Sequence, residues 1–136
     1  MITGTVNVYL DAIVELPVYD IRRQLNSVQA VVDTGFDGEL TLPASEIKAL
    51  ELPFRRSSLT LLADGRERLF DVHEAMIEWD GQPRRILVDT AETDPLLGMA
   101  LLEDYEMRVQ VRPGGGVFIT PLPSLGIGEE PEPVIA

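Results

Sequence analysis

Residues 30–43 read AVVDTGFDGELTLP. Ala30, Val31 and Val32 are small or β-branched and suit a buried strand. Asp33 ends that run, Thr34-Gly35 turns the chain, and ELTLP alternates as a second extended piece that stops at Pro43. The stretch poses a physical question, because an ionised carboxylate at the buried end of a strand is costly unless N–H donors or a shared proton hold it. No basic residue lies within three positions of Asp33 on either side. One reading makes Asp33 a turn cap acting through its side chain. The other makes it a chemical group, and a second stretch favours this. DPLLGMALL, residues 94–102, is apolar with one internal glycine, the mark of a place where another backbone passes close.

Composition sets the bounds around that stretch. A chain of 136 residues is expected to form one domain with a single core. Its apolar fraction of 45% and charged fraction of 25% are those of an ordinary globular protein. There is no cysteine, which excludes disulfides, thiolate metal sites and cysteine nucleophiles. The opening MITGTVNVYLDAIVEL has no basic segment and reaches Asp11 before any long apolar run. It therefore predicts neither a signal peptide nor a membrane span, and a cytoplasmic location. With 23 acidic against 11 basic residues, the net charge of −12 repels phosphate backbones and anionic lipid, so no nucleic-acid or membrane partner is expected.

Periodicity of two dominates the chain. TVNVYLDAIVEL alternates Val6, Val8 and Leu10 against Thr5, Asn7 and Tyr9, then runs on toward Pro17. VQAVVD reads as a strand covered on both faces. Residues 56–89 read as strand, turn, strand, turn, strand, with Asp64-Gly65 and Asp80-Gly81 as hairpin turns. GVFITPL is a last strand after RPGGG. PASEIKALEL predicts a short helix with Ile47 and Leu50 on one face, and GMALLEDYEM a turn or two of helix after Gly98. Residues 125–136 have little to bury and are expected to form a disordered acidic tail, leaving 1–124 as one mainly β domain.

Other polar residues have plainer readings. His73, the single histidine, lies in FDVHEAMIEW among Asp71, Ala75 and Ile77, the more polar alternation of that strand, with no serine or cysteine nucleophile motif to serve. Asp37, Gly38 and Glu39 lack the ligand spacing of a calcium loop, so no metal site is expected. Glu103, Asp104 and Glu106 form a solvated face, and Trp79 is a packing residue.

Together VVDTGFDGELTLP and the later PLLGMALL resemble the retropepsin-type aspartic proteases, single-lobe enzymes found in bacteria and archaea as well as retroviruses. The likeness runs from Met1 to Leu122 and includes the GGGVFITPL ending. It implies a retropepsin-like closed β-barrel of the acid-protease type with one or two short helices. By position, Asp33 matches the catalytic acid, with Thr34 and Gly35 completing its motif. Leu96, Leu97 and Gly98 match the apolar-apolar-Gly segment that passes beside the catalytic loop. LLADGRERLF takes the place of the hairpin flap that closes over substrate, with Ala63, Asp64, Gly65 and Arg66 at its tip. Phe36 and Asp37 fall at substrate-binding positions. Three departures stand out: Phe36 replaces a small residue, Met99 replaces an arginine that pairs with the acid matched by Asp37, and Asp64 and Arg66 replace an apolar, glycine-rich tip.

The implied chemistry needs two carboxylates sharing one proton. VDTAE, residues 88–92, offers Asp89, but Ala91 stands where the motif has glycine. A C2 homodimer supplying one Asp33 per chain is the expected solution, and it would also pair terminal strands otherwise left as free edges. The expected function is an aspartic endopeptidase acting on a peptide or protein, with no cofactor. The alternative is a β-barrel dimer that binds a peptide in the same cleft without cleaving it.

Overall fold

The computed structural model describes residues 1–124; the tail expected over 125–136 lies outside them. The chain opens with two strands, β1 (Ile2–Val6) and β2 (Ala12–Tyr19), joined by a turn. The alternation through Val8 and Leu10 does not continue as strand, because Asn7 caps the turn. Its Oδ1 accepts the N–H groups of Tyr9 at 3.0 Å and Asp11 at 2.9 Å. Leu10 takes a left-handed φ of 66°, and Val8, Tyr9 and Leu10 all face solvent. One side-chain oxygen holding two backbone donors outweighs an alternating pattern here.

β3 (Leu25–Val32) pairs with β2 from Ile13↔Val31 to Tyr19↔Leu25. Val28 and Ala30 are buried while Leu25, Ser27 and Gln29 are exposed, so β3 is covered mainly on one face, not on both as its apolar run suggested. The chain then turns through residues 33–39 into β4 (Leu40–Leu42) and α1 (Ala44–Leu50), whose Ile47 and Leu50 are buried as predicted. β5 (Phe54–Leu61), β6 (Glu67–Trp79) and β7 (Gln82–Thr90) follow as two successive hairpins. Both Asp-Gly dipeptides are turns, of different kinds. Asp80 and Gly81 have φ of 52° and 80°, a two-residue turn of the type whose twist suits a hairpin. At the other tip the Leu62 N–H donates to the Arg66 carbonyl at 2.7 Å, and Gly65, at φ 85°, closes a three-residue loop.

β8 (Leu96–Leu97) leads into α2 (Met99–Leu102), a single turn. The turn or two of helix expected after Gly98 is one turn long, because Asp104 takes a φ of 68° and reverses the chain. Tyr105, Met107 and Val109 then pack against the core while Glu106 and Arg108 face outward, which is the period of strand β9 (Tyr105–Val109). β10 (Gly116–Pro121) completes the described chain.

The strands form one sheet in the order β5-β6-β7-β4-β8-β3-β2-β1-β10-β9, and Val18↔Ile77 joins β2 back to β6, closing six of them into a ring. The fold is mainly β with two short helices. Leu16, Leu40, Ile77, Ile86, Leu97 and Ile119 are among the fully buried core side chains, each worth roughly 1.5–3 kcal/mol of burial. β1 pairs on one side with β2 and on the other with β10, and β10 with β9. The terminal strands are therefore not free edges; the open edges are β5 and β9. His73 shares its face of β6 with the buried Ala75, Ile77 and Trp79, so that face is the inner one and not the polar one. There the His73 ring meets Phe54 edge-on at 5.6 Å. Among the described residues no helix is long and apolar enough to cross a membrane.

Candidate functional site

The loop carrying Asp33 is built by a crossing of strands. β8 runs parallel to β3, with Val31↔Leu96 and Val32↔Leu97, and antiparallel to β4 through Leu40↔Leu97. It is thus threaded between the two strands that the Asp33 loop connects. The Asp33 N–H donates to the Leu97 carbonyl at 2.9 Å. Just beyond, Gly98 N–H donates to Glu39 O (2.9 Å), Met99 N–H to Phe36 O (2.8 Å) and Ala100 N–H to Gly38 O (3.1 Å). Thr41 is buried on β4, and its hydroxyl accepts the Leu96 N–H at 2.9 Å. The structure therefore brings Asp33, Thr34 and Gly35 beside Leu96, Leu97 and Gly98, two segments distant in sequence.

Gly98 is required by space and not by backbone shape, since its φ of −102° is open to any residue. A Cβ there would overlap the Gly38 carbonyl oxygen and come within 2.6 Å of the Phe36 ring and 2.8 Å of the Phe36 carbonyl oxygen. The half-buried Phe36 ring lies against both Gly38 and Gly98. The bulk of Phe36 is taken up by these two glycines, so the ring packs within the loop itself.

Asp33 is half-buried, and Thr34, Gly35 and Asp37 are exposed, so the carboxylate stands near the surface. Its Oδ1 accepts the Gly35 N–H at 2.8 Å, the bond a turn cap makes. No side-chain hydrogen bond links Asp33 to another carboxylate among the described residues. Asp89, the other candidate, is on β7 beside Thr41 of β4 and Val72 of β6. It stands three strands from β3, about 14 Å along the sheet at the usual strand spacing. Burial raises the Asp89 carboxyl above its ordinary pKa; Asp37 and Glu39 push it the same way, and Arg56 opposes them.

The β5–β6 hairpin carries Ala63, Asp64, Gly65 and Arg66 at an exposed tip. Arg66 Nε reaches Asp64 Oδ2 at 2.6 Å and its N–H reaches Oδ1 at 3.1 Å, so the two tip charges neutralise one another. Behind them the cross-strand pair Leu59↔Leu69 and the nearby Leu61 are 59%, 67% and 72% exposed. In-register pairing of His73 with Val88, and of Val88 with Leu40, puts this stripe on the same face of the sheet as the core. Among the described residues no hydrogen bond ties the tip to the Asp33 loop.

Arg84 escaped the sequence reading, as did the role of Glu39, which was weighed only as part of a calcium loop. Glu39 Oε1 accepts the Leu87 N–H at 3.0 Å and its Oε2 lies 3.5 Å from an Arg84 guanidinium nitrogen. Arg84 also donates to the carbonyls of Leu101 (3.2 Å) and Ala100 (3.3 Å). The available signal was an acid placed directly before the short Leu-Thr-Leu strand Leu40–Leu42, which is wholly buried, so that the acid must find donors. A cavity of about 490 Å³ lined by Tyr19, Ile21, Leu52, Met76 and Pro83, among others, lies elsewhere and includes none of the Asp33 loop, the hairpin tip or residues 96–98. The chain matches no family model, no curated protein and no solved structure.

Proposed function

We propose that this chain is a retropepsin-like aspartic endopeptidase, its ring of strands an acid-protease barrel, working as a homodimer. The observation that carries the reading is the threading of Leu96-Leu97-Gly98 between β3 and β4, with the Asp33 N–H bonded to the Leu97 carbonyl. That crossing fixes an acid by its backbone while its side chain stays at the surface, the placement a hydrolytic carboxylate needs.

In this reading two Asp33 carboxylates, one from each copy, share a single proton across the two-fold axis. The ionised one takes a proton from a water molecule as its oxygen bonds to the scissile carbonyl carbon. The neutral one gives its proton to the carbonyl oxygen, producing a tetrahedral diol. Proton transfer to the amide nitrogen then breaks the C–N bond and releases acid and amine. The dimer is needed because Asp89 stands three strands from β3. The hairpin supports the reading through its core-side stripe of exposed Leu59, Leu61 and Leu69, an apolar surface suited to covering an extended peptide.

The test is cleavage of a mixed peptide library between about pH 4 and 7, the range in which such dyads titrate, by wild type and Asp33→Asn at several protein concentrations. Cleavage that disappears in the variant, and rises faster than linearly with dilute wild type, is expected. If wild type leaves every peptide intact at concentrations where sedimentation shows a dimer, hydrolysis is refuted and a peptide-binding barrel takes its place.

A further inference from the structure

We infer that Arg84 and Glu39 are the positioning pair of this site: they brace the Asp33 loop against the segment after Gly98. The catalytic half of this inference rests on the proposed hydrolysis; the structural half does not.

The segment after Gly98 is one helical turn, too short to satisfy its own last carbonyls. Arg84 reaches across from β7 and donates to two of them, at Leu101 and Ala100. The same guanidinium faces Glu39, the residue that ends the Asp33 loop. The other Glu39 oxygen accepts the Leu87 N–H, so the carboxylate is held at both oxygens. Leu40↔Val88 is the first pair of the β4–β7 ladder, and the Glu39 side chain takes the next N–H beyond it. One arginine thus joins β7, α2 and the loop. Its planar fork is suited to several acceptors at once, which a lysine cannot match.

The pair is not a loose surface contact, with side-chain exposures of 32% for Arg84 and 21% for Glu39. By contrast Met99 is 47% exposed and Asp37 is exposed, and among the described residues no side-chain ion pair joins them. The consequence reaches Asp33 through the backbone. Gly98 N–H is held by the Glu39 carbonyl, the Leu97 carbonyl belongs to that same peptide group, and it holds the Asp33 N–H. Releasing residues 98–102 would loosen the acceptor that sets the position of Asp33.

The experiment compares the full chain with Arg84→Met, Arg84→Lys and Glu39→Gln, reading amide hydrogen exchange residue by residue. In Arg84→Met the amides of Gly98, Met99, Ala100 and Asp33 should exchange about 10- to 100-fold faster, the factor expected for losing charge-assisted hydrogen bonds. The core pair Val14 and Ala30 should keep its protection. Arg84→Lys should fall between, and Glu39→Gln, which keeps an oxygen for the Leu87 N–H, should loosen Gly98 to Ala100 while sparing Leu87. With a cleaved peptide in hand, kcat should fall at least tenfold with KM changed less than twofold, roughly 1.4 kcal/mol or more at the transition state. Unchanged exchange at Gly98 to Ala100 in both Arg84→Met and Glu39→Gln would overturn the brace, as would equal acceleration throughout the chain. Faster local exchange with kcat unaltered would overturn the positioning role. If wild type cleaves nothing, the exchange results still decide the brace, and the loss falls on the hydrolysis reading alone.

Discussion

Replacing Gly98 with alanine isolates the crossing that places Asp33. At φ −102° and ψ 178° alanine meets no backbone penalty, and by restricting the unfolded chain it should gain about 0.4–1 kcal/mol. Against that stands its Cβ, which would overlap the Gly38 carbonyl oxygen and press on the Phe36 ring at 2.6 Å. A ring can turn aside, but a backbone carbonyl moves only if the loop over 36–39 moves. That shift works against three bonds at once: Gly98 to Glu39, Met99 to Phe36 and Ala100 to Gly38. Losing two of them costs about 1 kcal/mol each, and the overpacking adds about 1–3 kcal/mol. After the entropic gain the net destabilisation is about 2–5 kcal/mol, a large part of a domain stability of roughly 5–15 kcal/mol. Urea unfolding followed by circular dichroism should show a lower midpoint at unchanged slope. A variant within about 0.5 kcal/mol of wild type, the size of a neutral surface change, would refute the close packing of the two segments. Adding Phe36→Ala should recover only the share due to the ring, leaving the clash with the carbonyl.

Asp89→Asn should be more stable than wild type at pH 7. Burial raises the folded-state pKa of Asp89 above 3.8, so the native state binds that proton more tightly than the unfolded chain, and wild-type stability falls as pH rises from 3.8 through the raised value. The advantage of the variant should therefore shrink on acidification and vanish below pH 3.8; thermal unfolding across that range checks it, and parallel pH profiles for the two proteins would contradict it. Leu10→Gly should stabilise the β1–β2 turn, because Leu10 holds a left-handed φ of 66° while 54% exposed. Relief of about 1–2 kcal/mol of strain against about 0.5–1 kcal/mol of added unfolded-state entropy leaves a gain between about 0 and 1.5 kcal/mol, and a lower denaturation midpoint would contradict the assignment.

Local chemistry made some of this fold legible and hid the rest. Asp64-Gly65 and Asp80-Gly81 announce their hairpins because positive φ is cheap for glycine and tolerated by aspartate. α1 is visible because Pro43 precedes it and Ile47 and Leu50 share one face. Val8 and Leu10 misled because alternation cannot reveal that Asn7 has taken both neighbouring N–H groups. β9 was not identified because Tyr105 and Met107 fit a helix and a strand equally until the left-handed Asp104 is known. Which strands lie at the edges depends on β9 pairing with β10, a contact that no single-strand pattern contains.

The site divides in the same way. The glycine of Leu96-Leu97-Gly98 signalled only that some backbone passes close, and the resemblance is what paired it with Asp33-Thr34-Gly35; the Gly38 carbonyl is what approaches. Arg84 could not be placed in advance, since its partners are two carbonyls and a carboxylate gathered from α2 and the loop. The expectation that Asp33 ends a strand in a buried place also changes. Half-burial with exposed neighbours lowers the desolvation cost that made a lone carboxylate look untenable. A single chain can thus carry Asp33 with one Gly35 N–H to hold it. The same exposure leaves the carboxylate where a second copy can reach it, so the feature that lets the monomer tolerate the acid is also the one a shared-proton dimer requires.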